Sequence, residues 1–193
     1  MRNKMMGLMG LGLVLLVATL AWGASCFQVM PVVQEQITQK VWLANGWAGS
    51  QAVVDAVLAQ NQKGPIPGMD NPKWKTVSDS DAIVQGFINN DAAKFFKEEL
   101  GKTDGVVTGA FLNAIQGEKV AFTEKTGSYI HKGSAKFDVP FTTGKAWQGP
   151  PELDDSGKVY EVQIAVPVVS DGKAIGVLVV EINATKLEEM ATK

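Results

Sequence analysis

The chain has 193 residues, a formal net charge of −2, 46% hydrophobic residues, one Cys and one His. A charge so balanced, with scattered lysines and no basic cluster, excludes a nucleic-acid surface. One histidine excludes a multi-histidine metal site, and one cysteine excludes an intramolecular disulfide.

Residues 1–25 read as an address, with Arg2 and Lys4 as a positive start and residues 8–20 as an apolar run. Ala21-Trp22-Gly23 puts small residues at the −3 and −1 positions that signal peptidase requires. Two other readings stand beside cleavage. Residues 5–24 are close to the roughly 20 apolar residues that span a bilayer, so the segment could remain as a membrane anchor. Cys26, behind Gly23-Ala24-Ser25, could instead take a lipid. Each reading places the remainder outside the cytoplasm, periplasmic or secreted, with about 165 residues, enough for one domain with its own core.

Residues 30–103 are expected to be helical. Ile37, Val41, Ala44, Trp47 and Ala48 keep helical spacing, and Val53, Val54, Val57 and Leu58 continue the stripe. Gly46 and Gly49 weaken its middle, where a bend is expected. Trp42 and Trp47 read as core or interface. Gly64-Pro65-Ile66-Pro67-Gly68 ends the helix, and a loop holding Trp74 is expected up to Ser78. Asp79 or Ser80 could cap a following helix, with an apolar stripe running from Ile83 to Leu100, a break at Asn89-Asn90-Asp91 and Gly101 at its end.

From residue 104 the pattern turns to strands. Residues 106–114 and 118–123 are short β-prone runs around Gln116-Gly117. A polar connection follows, carrying Tyr129 and His131, then a mixed stretch from Ser134 to Trp147 and a turn-rich loop at 148–157. Residues 158–182 are the clearest element: Tyr160, Val162, Ile164, Val166 and Val168 alternate with their neighbours, Asp171-Gly172 suits a tight turn, and 174–182 is almost wholly apolar. If Asp171 and Gly172 are the central turn residues, Ser170 pairs with Lys173, Val166 with Val177 and Val162 with Glu181. Glu181 would then share the face of Tyr160, Val162 and Ile164, either anchoring a ligand there or reaching water at the strand end. The order is helices first and then an antiparallel sheet of about five strands, an α+β fold.

The Thr123-x-x-Thr126-x-x-Tyr129 connection, the Gly144/Trp147 loop and the strands reading I-A-V-P-V-V-x-D-G-K-A-I-G-V-L-V-V-E-I together resemble the Cache sensor domains, PAS-like modules of bacterial extracytoplasmic receptors and stand-alone secreted proteins. The resemblance spans residues 106–187, and the preceding helices suit a single-Cache arrangement. It implies a curved antiparallel sheet with a long N-terminal helix packed on one face, and on the other a pocket for an amine, amino acid or carboxylate. In amine-binding members an acidic residue follows the G-V-L-x-x stretch, and Glu181 stands there. The resemblance also implies Tyr129 as a pocket-lining aromatic and Trp147 as a second. The Tyr-x₄-Arg-x-Trp pattern of amino-acid-binding members is missing, since no Arg follows Arg2, so Lys132, Lys136 or backbone N–H groups would have to meet a carboxylate.

Residues 104–190 are therefore expected to form the sensor core, with Tyr129, Trp147 and Phe122 as aromatic walls and Glu181, Thr123 and His131 as polar contacts. No cofactor and no metal is implied. Glu152, Asp154 and Asp155 miss the spacing of a calcium loop. After Ile182 only a short polar tail follows, so the sequence predicts a sensor without its own output module, reporting to a membrane receptor or transporter. The alternative is an envelope scaffold whose pocket is filled by side chains, for which burial of Tyr129 and Phe137 would speak. An enzyme ranks last, because His131 has no G-x-S-x-G partner sequence and no catalytic set surrounds it.

Overall fold

The computed structural model describes residues 27–154 and 158–192. The expectations on the leader, the anchor and Cys26 lie outside those residues, as does part of the 148–157 turn. Among the described residues no helix is long and apolar enough to cross a membrane.

Pro31 starts helix α1 (Pro31–Ala48), whose buried side chains Val33, Ile37, Ala44, Trp47 and Ala48 form the expected stripe. The chain breaks at Gly49-Ser50 and resumes as α2 (Gln51–Lys63). Trp47 is core, whereas Trp42 on the opposite face is 83% exposed. The expected loop around Trp74 holds a short helix instead, α3 (Asn71–Thr76), because Asp70 caps it through the Lys73 N–H and Pro72 stands in its first turn. The break at Asn89-Asn90 separates α4 (Ala82–Asn89), capped by Asp81, from α5 (Asp91–Gly101), capped by Asn90.

The sheet has six antiparallel strands: β1 (Val107–Ala114), β2 (Lys119–Phe122), β3 (Trp147–Gln148), β4 (Glu152–Asp154), β5 (Val159–Ser170) and β6 (Lys173–Asn183). They run in the order β2-β1-β6-β5-β3, with β4 also pairing to β5. Residues 134–147, read from sequence as mixed, contain helix α6 (Ala135–Thr143). Its β-branched residues and internal Pro140 conceal the helical period. A last helix, α7 (Ala184–Ala191), begins on the Asn183 cap.

Ser170 pairs with Lys173 as expected, but the pairing beyond the turn needs correction. Val169 pairs with Ala174 and Val168 with Gly176, so Ile175 is an extra residue, a β-bulge. The Ile175 carbonyl accepts from Asn61 Nδ2 on α2, 2.9 Å away. Past the bulge, Val166 lies opposite Leu178, Val162 opposite Ile182, and Glu181 opposite Gln163. A one-residue slip turns every side chain over. Glu181 therefore shares a face with Gln163 and Ala165, not with Val162 and Ile164.

Both faces of the sheet are covered. Val162, Ile164, Val166, Leu178, Val180 and Ile182 pack with α1, α2 and α7, while α5 covers β1 and β2 in the same core. The other face carries Phe111, Ala165, Val177 and Val179 beneath an aromatic group around Trp74. Toward the start of β5 and the end of β6 that second face becomes polar, and a cleft opens there.

Candidate functional site

The cleft has a volume of about 570 Å³. Its floor is the polar end of the sheet: Glu161 and Gln163 from β5, Glu181 and Asn183 from β6 and Thr108 from β1. Residues 124–128 form one wall, Lys136 of α6 another, and Phe111 with His131 stand beside the floor. Alternation along β5 and β6 sends these polar side chains away from α1.

A hydrogen-bond chain fixes the floor. Lys136 Nζ donates to Gln163 Oε1, and Gln163 Nε2 donates to Glu181 Oε1 at 3.0 Å. Thr108 Oγ1 donates to Glu161 Oε1 at 2.5 Å. Gly109 faces Glu181 across the strands, and its missing Cβ is the space Glu181 Oε2 occupies. Burial, and then the negative charge of Glu161, raise the Glu181 carboxyl above the ordinary range against the opposing Gln163 hydrogen bond. Glu161 is also raised by burial, with the Thr108 hydrogen bond working against it.

Lys119 is a buried lysine that sequence reasoning missed. Its side chain has no exposure and its Nζ no hydrogen-bond partner, resting 3.6 Å from the centre of the Phe111 ring. A ring face returns about 2 kcal/mol to a desolvated ammonium. Removing such an ion from water costs several kcal/mol, so the neutral amine is favoured. Burial accordingly holds Lys119 well below the ordinary lysine range, with Glu181 opposing and Lys136 reinforcing that shift. His131, 9% exposed and tilted against Phe111 at 5.0 Å, is lowered to about 2, first by burial and then by positive charge at Lys119, in its protonated form, and at Lys136.

Of the residues expected from sequence, Glu181 and His131 line the cleft. Trp147 lines a smaller hollow of about 230 Å³ that shares Lys136, Asp154, Glu161 and Gln163 with it. Tyr129 and Phe122 need correction, because both are fully buried in the aromatic group with Trp74 and Phe87. Tyr129 can be core because its hydroxyl accepts from the Ile66 N–H at 2.9 Å, which answers the one polar atom it buries. Thr123 spends its hydroxyl on the Ala110 N–H and carbonyl, at 3.0 and 3.3 Å, and lies outside the cleft lining. Glu161 and Gln163 were visible as the polar half of an alternating strand, a signal that sequence alone assigns equally well to solvent.

No protein-family model and no curated protein matches the chain in sequence. Solved structures do match in shape. The sensor domain of the V. cholerae histidine kinase DctB superposes with a TM-score of 0.51 at 16% identity, over 82% of this chain and 53% of that one. The chain thus spans about half the length of the DctB domain. The E. coli DcuS sensor domain also gives 0.51, at 10% identity, over 84% of this chain and 98% of that one. With its antiparallel sheet, long helix across one face and cleft on the other, the chain has the fold of the PAS-like, Cache-type sensor domains.

Proposed function

We propose that this chain is an extracytoplasmic sensor domain that binds a small polar molecule, an amine, amino acid or carboxylate, in the cleft at Glu181. The observation supporting this is the concentration of buried and half-buried titratable side chains in and behind one hollow. Glu161, Glu181, Lys119 and His131 all carry shifted proton affinities there, and such clusters are costly unless used. Glu181 and Glu161 suit a cationic group, Trp147 offers an aromatic face beside them, and His131 a neutral imidazole. Binding would reset the 124–128 wall and alter the surface offered to a membrane receptor or transporter, without chemistry on the ligand.

A non-binding scaffold is the second reading, favoured by the full burial of Tyr129 and Phe137. These two fill the aromatic half of the face and leave the polar half open. A thermal-shift screen of small amines, amino acids and carboxylates separates the readings. Stabilisation is expected, and where the ligand is cationic it should weaken in Glu181→Ala. A broad screen in which nothing raises the melting temperature would leave the scaffold reading in place.

A further inference from the structure

The least satisfied spot in the molecule lies beside the Phe111 wall of the cleft. Lys119 Nζ, His131 Nδ1 and Asn113 Oδ1 are all buried there without a hydrogen-bond partner. Asn113 stands opposite Lys119 in the β1–β2 pairing, and the Phe111 ring links Lys119 to His131 through the two ring contacts already described. Phe111 and His131 both line the cleft and Lys119 does not, so the lysine head group lies behind that wall and an incoming group reaches it only if the Phe111 or His131 ring gives way. Buried polar groups in folded proteins are nearly always answered by a partner, and three orphans in one place mark a position that something else fills.

Resting on the reading of the cleft as a binding site, we propose that Lys119 is the buried anchor for an acidic group of the ligand, and that its amine takes up a proton as that group enters. The charged groups facing Lys119 are Glu181 from β6 and Lys136 from α6, with His131 neutral beside them and Glu118 preceding it in the chain. Lys136 repels an ammonium, and the Glu181 carboxylate, already engaged with Gln163, does not offset its burial. An arriving carboxylate supplies the missing negative charge and the missing acceptor together. The balance is simple: a neutral amine, a proton from solvent and a carboxylate become an ammonium–carboxylate pair, with no covalent bond made or broken. No Arg is needed for this, which suits a chain whose only Arg is Arg2.

The test is isothermal titration of the full chain with acetate and with succinate, each in two buffers of different ionisation enthalpy, beside 1,4-diaminobutane as a cationic probe. At least one acid is expected to bind with uptake of about one proton, its affinity falling about tenfold per pH unit wherever the empty site is unprotonated and the filled site protonated. In Lys119→Met acid binding and proton uptake should both vanish while diamine binding stays. That variant replaces a buried amine with an apolar chain of similar length, so its melting temperature should equal or exceed that of the wild type. Independently of any variant, 15N NMR of the empty protein should find the Lys119 amine titrating well below the surface lysines. Acid binding without proton uptake, acid binding that survives Lys119→Met, or a Lys119 that titrates with the surface lysines each overturns the proposal. If the diamine binds and neither acid does, Lys119 is not an anchor and the cleft reading stands; if none of the three binds, the anchor proposal falls and the broad thermal-shift screen decides the cleft reading.

Discussion

Gly109 is where a single atom decides the geometry of the site. Its φ is ordinary, so alanine meets no backbone strain, but the new Cβ would overlap Glu181 Oε2 and push that carboxylate aside. Because the obstacle is the far end of a flexible side chain, Gly109→Ala should keep its stability within about 1 kcal/mol while a cationic ligand binds about tenfold more weakly. Denaturant unfolding and titration on the same sample check both halves. His131 predicts a pH effect of definite sign. Its folded-state affinity for a proton is depressed to about 2, so the unfolded chain takes up a proton near pH 6.5 that the folded chain refuses. Stability contributed by neutral His131 is present above pH 6.5 and lost as pH falls, by about 2 kcal/mol between about pH 6.5 and about pH 5. Glu161 and Glu181 act in the opposite sense, since raised carboxyls lose stability as pH rises, but they are common to wild type and His131→Gln. The difference between the two proteins in urea unfolding at the two pH values should therefore isolate the histidine. Sequence could nominate Glu181 and His131 as polar residues in apolar or loop settings. It could not show that Tyr129 meets the Ile66 N–H, since that contact joins residues distant in the chain. Nor could it show Lys119 as buried, since a lysine in a short edge run reads as solvated.

At the scale of elements, the bulge at Ile175 carries the main lesson. The Asp171-Gly172 turn was legible because its residues suit positive φ, and both adopt it, at 50° and 74°. The extra residue three positions later was not, because the donor that meets its carbonyl comes from Asn61 on α2, and no local pattern announces a helix side chain. Two side-chain faces are thereby exchanged, and Glu181 reaches the cleft from the face opposite the one an unbulged hairpin would give it. Gly176, next to the bulge, lets α2 and β1 approach. A Cβ there would strike the Asn113 carbonyl oxygen and come within 2.9 Å of Val57 Cγ1. Gly176→Ala should cost about 1–3 kcal/mol, because here the obstacles are backbone and packed core. A lowered denaturation midpoint with an unchanged m-value is the expected observation. Long amphipathic helices and alternating strands were legible throughout; α3 and α6 were not, the one being too short to show a period and the other interrupted by Pro140.

For the whole molecule, the two faces of one sheet differ in kind. The α1 face is continuous apolar packing, while the opposite face is half aromatic core and half polar cleft. A ligand that prefers the folded state at a hundred times its Kd adds about 2.7 kcal/mol. In a domain of this size that should appear as a rise in melting temperature of roughly 5–10 °C in the screen described above. The wall of the cleft is itself suspended from α3. Asn71 accepts from the Tyr129 and Ile130 N–H groups and donates to the Ile130 carbonyl, and Trp74 Nε1 donates to the Thr126 carbonyl at 2.7 Å. Lys125, on the same wall, sits 5.3 Å from the Trp74 ring. A fully buried indole is thus wired to the cleft by its own N–H and by a neighbouring cation, without lining the cleft itself. Any displacement of residues 124–128 would change the electric field along that ring, so under the proposed function Trp74 is an intrinsic fluorophore whose emission should shift when a ligand enters the cleft.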